Sequence, residues 1–122
     1  MIRVAIDLLG PPEVRWQGQR LGFRTRRALA LLAYLAASEI EQPRDRLAAL
    51  FWPESDPPAR RAMLRTTLQH LRHALAPVID PGSVLRADND AVALLRDAVD
   101  LDLDTIARAE RTLREAGPGD RA

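Results

Sequence analysis

The sequence contains no cysteine and no lysine. Without thiols it has no disulfide, no thiolate nucleophile and no cysteine-ligated zinc, which suits a reducing compartment. Without lysine, every permanent cation is an arginine, whose planar fork pairs with phosphate or guanine. Genomic base composition contributes to that bias. Aromatic residues make up only 4%, too few for a row of base-stacking platforms, so Trp16, Phe23, Phe51 and Trp52 are assigned to core or staple contacts. Arg, Asp or Glu interrupts every apolar stretch before it reaches the length of a membrane span. The start, Met1-Ile2-Arg3-Val4-Ala5-Ile6-Asp7, lacks the basic region and apolar block of a secretory signal. A cytoplasmic location is expected. No Walker or dinucleotide pattern occurs, and Gly10-Pro11-Pro12 reads as a turn. Ser38, Ser55 and Ser83 lack a His and acid constellation. Neither an enzyme nor a cofactor is expected.

The 122 residues are 47% apolar, enough for one compact core with a short appendage. The net charge of +1 conceals two unlike halves. Up to Pro77 there are 12 Arg against 7 acids, or +5; from Val78 there are 6 Arg against 10 acids, or −4. A polyanion is expected to meet the front alone.

Ile2, Val4, Ile6 and Leu8 alternate with Arg3, Ala5, Asp7 and Leu9, which predicts a strand with one buried side. Val14 and Trp16 mark a second strand, Gln17-Gly18 a tight turn, and Leu21 with Phe23 a third strand. Thr25 is the expected N-cap of a nearly all-apolar helix over Arg26 to Ser38. Pro43 suits the first turn of a second helix whose buried stripe is Leu47, Leu50 and Phe51, closed by Trp52-Pro53. Asp56 caps a third helix that Pro77 stops. Val84-Leu85-Arg86 and Ala91 to Leu95 flank the hairpin turn Ala87-Asp88-Asn89-Asp90. Val99, Leu101 and Leu103 alternate with Asp100, Asp102 and Asp104, which reads as a solvated, extended linker with Asp104 capping a last helix, Thr105 to Ala116. Residues beyond Gly117 are expected to be disordered.

At about 100° per residue, Leu64, Leu68, Leu71 and Leu75 of the third helix form one stripe, with Thr67 and Ala74 at its margin. Opposite lie Arg65, Thr66, Gln69 and His73, and Arg60, Arg61 and Arg72 border the stripe. No acid occurs between Asp56 and Asp80. A solvated helix of this length ordinarily mixes signs to gain i, i+4 pairs, so the unpaired cations point to an external anion. Arg65 and Gln69 have the geometry for base edges, Arg to guanine and Gln to adenine. Arg60, Arg61 and Arg72 are placed for phosphates, which position without specifying. The competing account is an exposed helix made Arg-rich by genome composition.

The order of Leu8-Leu9-Gly10, Ala28-Leu29-Ala30-Leu31-Leu32-Ala33-Tyr34-Leu35, Arg46-Leu47-Ala48-Ala49-Leu50-Phe51-Trp52-Pro53, Ala62-Met63-Leu64-Arg65 and Val99-Asp100-Leu101-Asp102 resembles one family. It is similar to the N-terminal domain of antibiotic-regulatory-protein (SARP) type bacterial transcriptional activators, an OmpR-like winged helix followed by a helical bacterial transcriptional activator domain. The resemblance implies an α+β winged helix-turn-helix with an N-terminal antiparallel sheet, three helices, a C-terminal β-hairpin wing and a short C-terminal helix. It places the DNA-binding domain at residues 1–97, and at 98–122 a linker with the first helix of a truncated or degenerate activator domain. It also implies a third helix in the major groove, with Arg60, Arg61, Arg65, Thr66, Gln69, Arg72 and His73 toward DNA. The hairpin Val84 to Leu95 becomes the wing, with Arg86 near its base. The loop Pro53 to Pro58, carrying Glu54, Ser55 and Asp56, would face RNA polymerase. Direct repeats bound by head-to-tail pairs are the implied mode.

Two departures from the family bear on that expectation. Gln69-His70 and His73 stand where relatives are more basic, so attraction to phosphate should be weaker and rise as pH falls. The wing tip Asp88-Asn89-Asp90 is acidic and offers no arginine to a minor groove. His70 and His73 have the spacing to share a metal, but no Cys and no third ligand is near, and no metal site is expected. Asp100 to Asp104 lacks the sixth-position Gly of a calcium loop. The alternative to DNA binding is a protein-interaction or structural winged helix that does not touch DNA.

Overall fold

A computed structural model describes residues 3–38 and 40–102. The predicted last helix and the C-terminal tail lie outside the described residues, as do Met1 and Ile2. Strands β1 (Val4–Asp7), β2 (Glu13–Trp16) and β3 (Gln19–Arg20) form an antiparallel meander. Gln17 and Gly18 both take positive φ, 50° and 84°, the mirror-image turn whose twist matches a two-residue hairpin. The third strand is therefore Gln19–Arg20 rather than Leu21 and Phe23. Those two residues instead pack from outside against the core, with the Leu21 amide bonded to the Val14 carbonyl at 2.8 Å.

Helix α1 (Arg26–Ala37) starts where expected, with the Thr25 hydroxyl accepting from the Ala28 amide at 3.0 Å. A short strand unforeseen in the sequence follows, β4 (Gln42–Pro43). Pro43 precedes helix α2 (Arg44–Phe51) instead of opening it. Lacking an amide, proline suits this edge position. The buried face of α2 is Leu47 and Ala48; Leu50, expected inside, is 53% exposed, and Phe51 is half-buried. Helix α3 (Pro57–Leu75) is capped by Asp56, whose carboxylate accepts from the Ala59 amide at 2.9 Å. Its predicted leucine stripe is buried throughout, and buried Thr67 is satisfied by donating to the Met63 carbonyl at 2.8 Å.

Strands β5 (Leu85–Ala87) and β6 (Ala91–Leu94) form the predicted hairpin, and β4 adds to it, so that the second sheet runs β4-β6-β5. The largest correction concerns the segment read as a linker. Val99–Leu101 is a strand, β7, pairing parallel with β1 in the register Val4↔Val99 and Ile6↔Leu101. It completes a sheet of order β3-β2-β1-β7. Val99 and Leu101 are buried, while Asp100 points outward toward Arg3 at 3.6 Å. The Asp102 carboxylate accepts from the Leu8 and Leu9 amides at 2.9 and 3.0 Å, tying the chain after β7 to the end of β1.

One apolar cluster joins both sheets to all three helices, with Ile6, Val14, Leu31, Leu35, Leu47, Leu68, Leu71, Val84 and Val92 nearly or wholly inaccessible. This is the α+β winged-helix arrangement, with α3 packed on α1 and α2 and the hairpin beyond it. None of the described helices is long and apolar enough to cross a membrane.

Candidate nucleic-acid interface

Burying the leucine stripe decides what α3 shows to solvent. Arg61, Arg65, Thr66, Gln69 and His73 are exposed, and Arg60 and Arg72 are half-buried. Among the described residues, none of these four guanidinium groups makes an ion pair or a hydrogen bond. Helix polarity assists at the C-terminal end, where Arg72 and His73 occupy the last turn and face the negative pole of the macrodipole.

The structure divides the face into two sides. Toward the wing, Arg61 and Arg65 line a cleft of about 200 Å³ together with Arg44 and Asp45 of α2, Leu64, and Asn89 of the wing turn. Toward the α2–α3 loop, Thr66 joins a broader groove of about 730 Å³ that Arg27, Trp52, Glu54, Ser55, Met63 and His70 also line. Arg65 and Thr66 are adjacent in sequence but border different depressions. Glu54 and Ser55 thus belong to the groove, whereas the Asp56 carboxylate is occupied as the helix cap. Trp52 is buried and carries Arg27 over its ring at 5.5 Å, a cation–π contact that fixes the groove wall. Nδ1 of His70 is buried without a partner, while His73 is exposed, so the two imidazoles stand in different settings.

The wing contributes shape more than charge. Arg86 is exposed but bonded to Glu41 at 3.1 Å, so its cation is partly neutralised. At the tip, the Asp88 carboxylate accepts from the Ala91 and Asp90 amides at 2.8 Å each. Those bonds, the one from Ala91 foremost, and then the nearby Arg86 and Arg44, hold its pKa below the ordinary aspartate value. The tip therefore stays anionic at neutral pH and resists insertion beside phosphates.

Sequence reasoning missed Arg44. Its backbone amide donates to the Asp90 carbonyl at 2.8 Å and its Nη1 to the Asp88 carbonyl at 2.9 Å, over a separation of more than forty residues. No local pattern reports such a contact, because it depends on β4 and β6 pairing first.

No protein-family model matches the chain, and no curated protein sequence matches it. Among solved structures, the chain is similar to Mycobacterium tuberculosis EmbR, determined in complex with a low-affinity phosphopeptide. The identity is 27% and the TM-score 0.68, covering 81% of this chain and 27% of that one. The chain thus spans about a quarter of the length of the protein it matches, and the likeness supports the winged-helix fold that the element order shows.

Proposed function

We propose that this chain is the sequence-specific duplex-DNA-binding module of a bacterial transcriptional activator, with α3 in the major groove. The observation that carries the reading is the exposed side of α3, which presents Arg61, Arg65, Thr66, Gln69 and His73 with no acid on the helix. Cations left open in this way gain most from a polyanion, whose counterions are released on binding. In this reading Arg65 and Gln69 address base edges, Arg60, Arg61 and Arg72 address phosphates, and Arg86 serves the backbone beside the wing. The likeness to EmbR supports the domain of a transcription regulator. The rest of that protein, and its phosphopeptide, are not carried over to a chain that matches only part of it.

Pairing head to tail on direct repeats, contact of the Glu54 to Asp56 loop with RNA polymerase, and a cytoplasmic location belong to the same proposal. So does the division into a DNA-binding part and the start of a helical domain after it, with the boundary moved from residue 97 to beyond Asp102, because β7 belongs to the first sheet. Titration of mixed-sequence duplexes at rising salt tests the core of it. A steep log–log slope, about 0.9 per phosphate neutralised, is expected; a flat response would falsify DNA binding and favour a protein-interaction role. Selection from random duplexes then tests the pairing: a recovered direct repeat supports it, and an inverted repeat rejects it.

A further inference from the structure

We propose that the cleft between α3, the first turn of α2 and the wing turn seats one backbone phosphodiester of the duplex, with Arg44 as a ligand held in place by the wing. This rests on the duplex-binding reading and adds a residue and a role to it. The cleft brings together three guanidinium-bearing residues from two helices, Arg44, Arg61 and Arg65, with Asn89 from the wing. Its volume, about 200 Å³, is that of roughly six or seven waters at about 30 Å³ each, room enough for one phosphate group.

Arg44 differs from the other two in being oriented before any ligand arrives. Its Nη1 and its backbone amide both donate to wing carbonyls, of Asp88 and Asp90. A carbonyl holds the guanidinium without cancelling its charge, and four of its five N–H donors stay available. Arg61 and Arg65 carry no partner among the described residues. The acids nearby are accounted for. Asp45 lines the cleft but forms no ion pair with any of the three arginines, and the Asp88 carboxylate, though near enough to feel the Arg44 charge, bonds to the Asp90 and Ala91 amides and not to a guanidinium. With Arg65 assigned to a base edge, Arg44 and Arg61 leave two cations to one lining acid, Asp45, in a concave space, which favours an anion with several acceptor oxygens.

This also gives the acidic wing turn a task. A tip carrying Asp88 and Asp90 does not read a minor groove, but its carbonyls hold a neighbouring arginine toward the backbone. In this protein the wing acts as a brace.

The test compares the unaltered chain with Arg44→Ala and Arg44→Lys, measuring duplex affinity between 50 and 200 mM salt alongside the thermal midpoint. For Arg44→Ala the log–log slope should fall by about 0.9, so that the loss of affinity across this fourfold salt range shrinks by about 3.5-fold, equally for all duplexes. Arg44→Lys should keep most of the slope, because the charge remains. If Arg44→Ala binds more weakly with its slope unchanged, Arg44 only steadies the wing and the proposal is overturned, while DNA binding stands. A flat salt response from the unaltered chain overturns both. Inorganic phosphate supplies the remaining arm, read through the Asn89 amide resonance at constant ionic strength. A response to it, with no change of slope in Arg44→Ala, assigns the cleft to a free anion and rejects the proposal.

Discussion

The N-terminal sheet and helix α3 use the same cation in opposite ways. On the sheet, Arg3, Arg15 and Arg20 face Asp100, Asp7 and Glu13 at 3.6, 2.5 and 3.9 Å. On α3, Arg60, Arg61, Arg65 and Arg72 face no carboxylate among the described residues. The chain has no lysine, so both regions use arginine, and that bias acts on both alike. It does not explain why acids accompany the arginines in one place and vanish from the other. Cross-strand neighbours supply the sheet's acids, and opposite charges there are modestly stabilising. An isolated helix face has the same opportunity through i, i+4 pairs, and α3 forgoes it. The contrast therefore separates arginines paired within the fold from arginines whose guanidinium groups stay open among the described residues.

The largest effect should come from the hidden side of the helix. Leu68→Ala empties a fully buried position and should cost about 2–5 kcal/mol by denaturant titration, lowering binding only through loss of the folded state. A smaller cost would mean that the stripe is not what orients the open face. Next is Arg65→Ala, expected to cost about 1–3 kcal/mol of discrimination at one base pair, with fold stability unchanged. An equal loss on every duplex would make Arg65 another phosphate contact and blur the division along α3.

The sheet should behave in the reverse manner. Asp102→Ala removes the charged acceptor for the Leu8 and Leu9 amides and should lower stability by about 1.5 kcal/mol, with duplex affinity per folded molecule untouched. Arg15→Ala, which breaks the pair with Asp7, should cost about 0.2–1 kcal/mol and likewise leave binding alone; a change in salt slope would place the sheet on the DNA after all. The mildest test uses pH. The pKa of Asp88 is lowered in the folded chain, chiefly by the bond from the Ala91 amide. Its contribution is therefore complete above the ordinary value of 3.8 and fades as pH falls through the lower folded value. The Ala91 amide resonance should report loosening of the turn only in that acidic range.

Much of this architecture was legible one segment at a time. The four leucines of α3 recur at helical spacing, so their common burial follows from periodicity alone. Thr25 and Asp56 announce their helices because a side-chain oxygen must satisfy an orphan amide. Asp and Asn mark the wing turn for a similar reason. Leu50 misled because α2 is only two turns long, and in so short a helix the apolar positions outnumber those that can face the core. Val99–Leu101 misled because alternation with aspartate has the same appearance in a free extended segment and in a strand. The open edge of β1, almost a hundred residues away, makes the difference.

The sequence by itself determined that the leucines of α3 share a face, where α1 and α3 begin, and that the longest helix carries cations without acids. Those properties depend on neighbours within a turn or two, where covalent geometry sets the spacing. Tertiary structure alone decided that β7 closes the first sheet, that β4 extends the wing, and that Arg44 stands beside Arg61 and Arg65 in one cleft. Each of these joins groups distant along the chain, and only packing of the common core brings them within reach of a hydrogen bond.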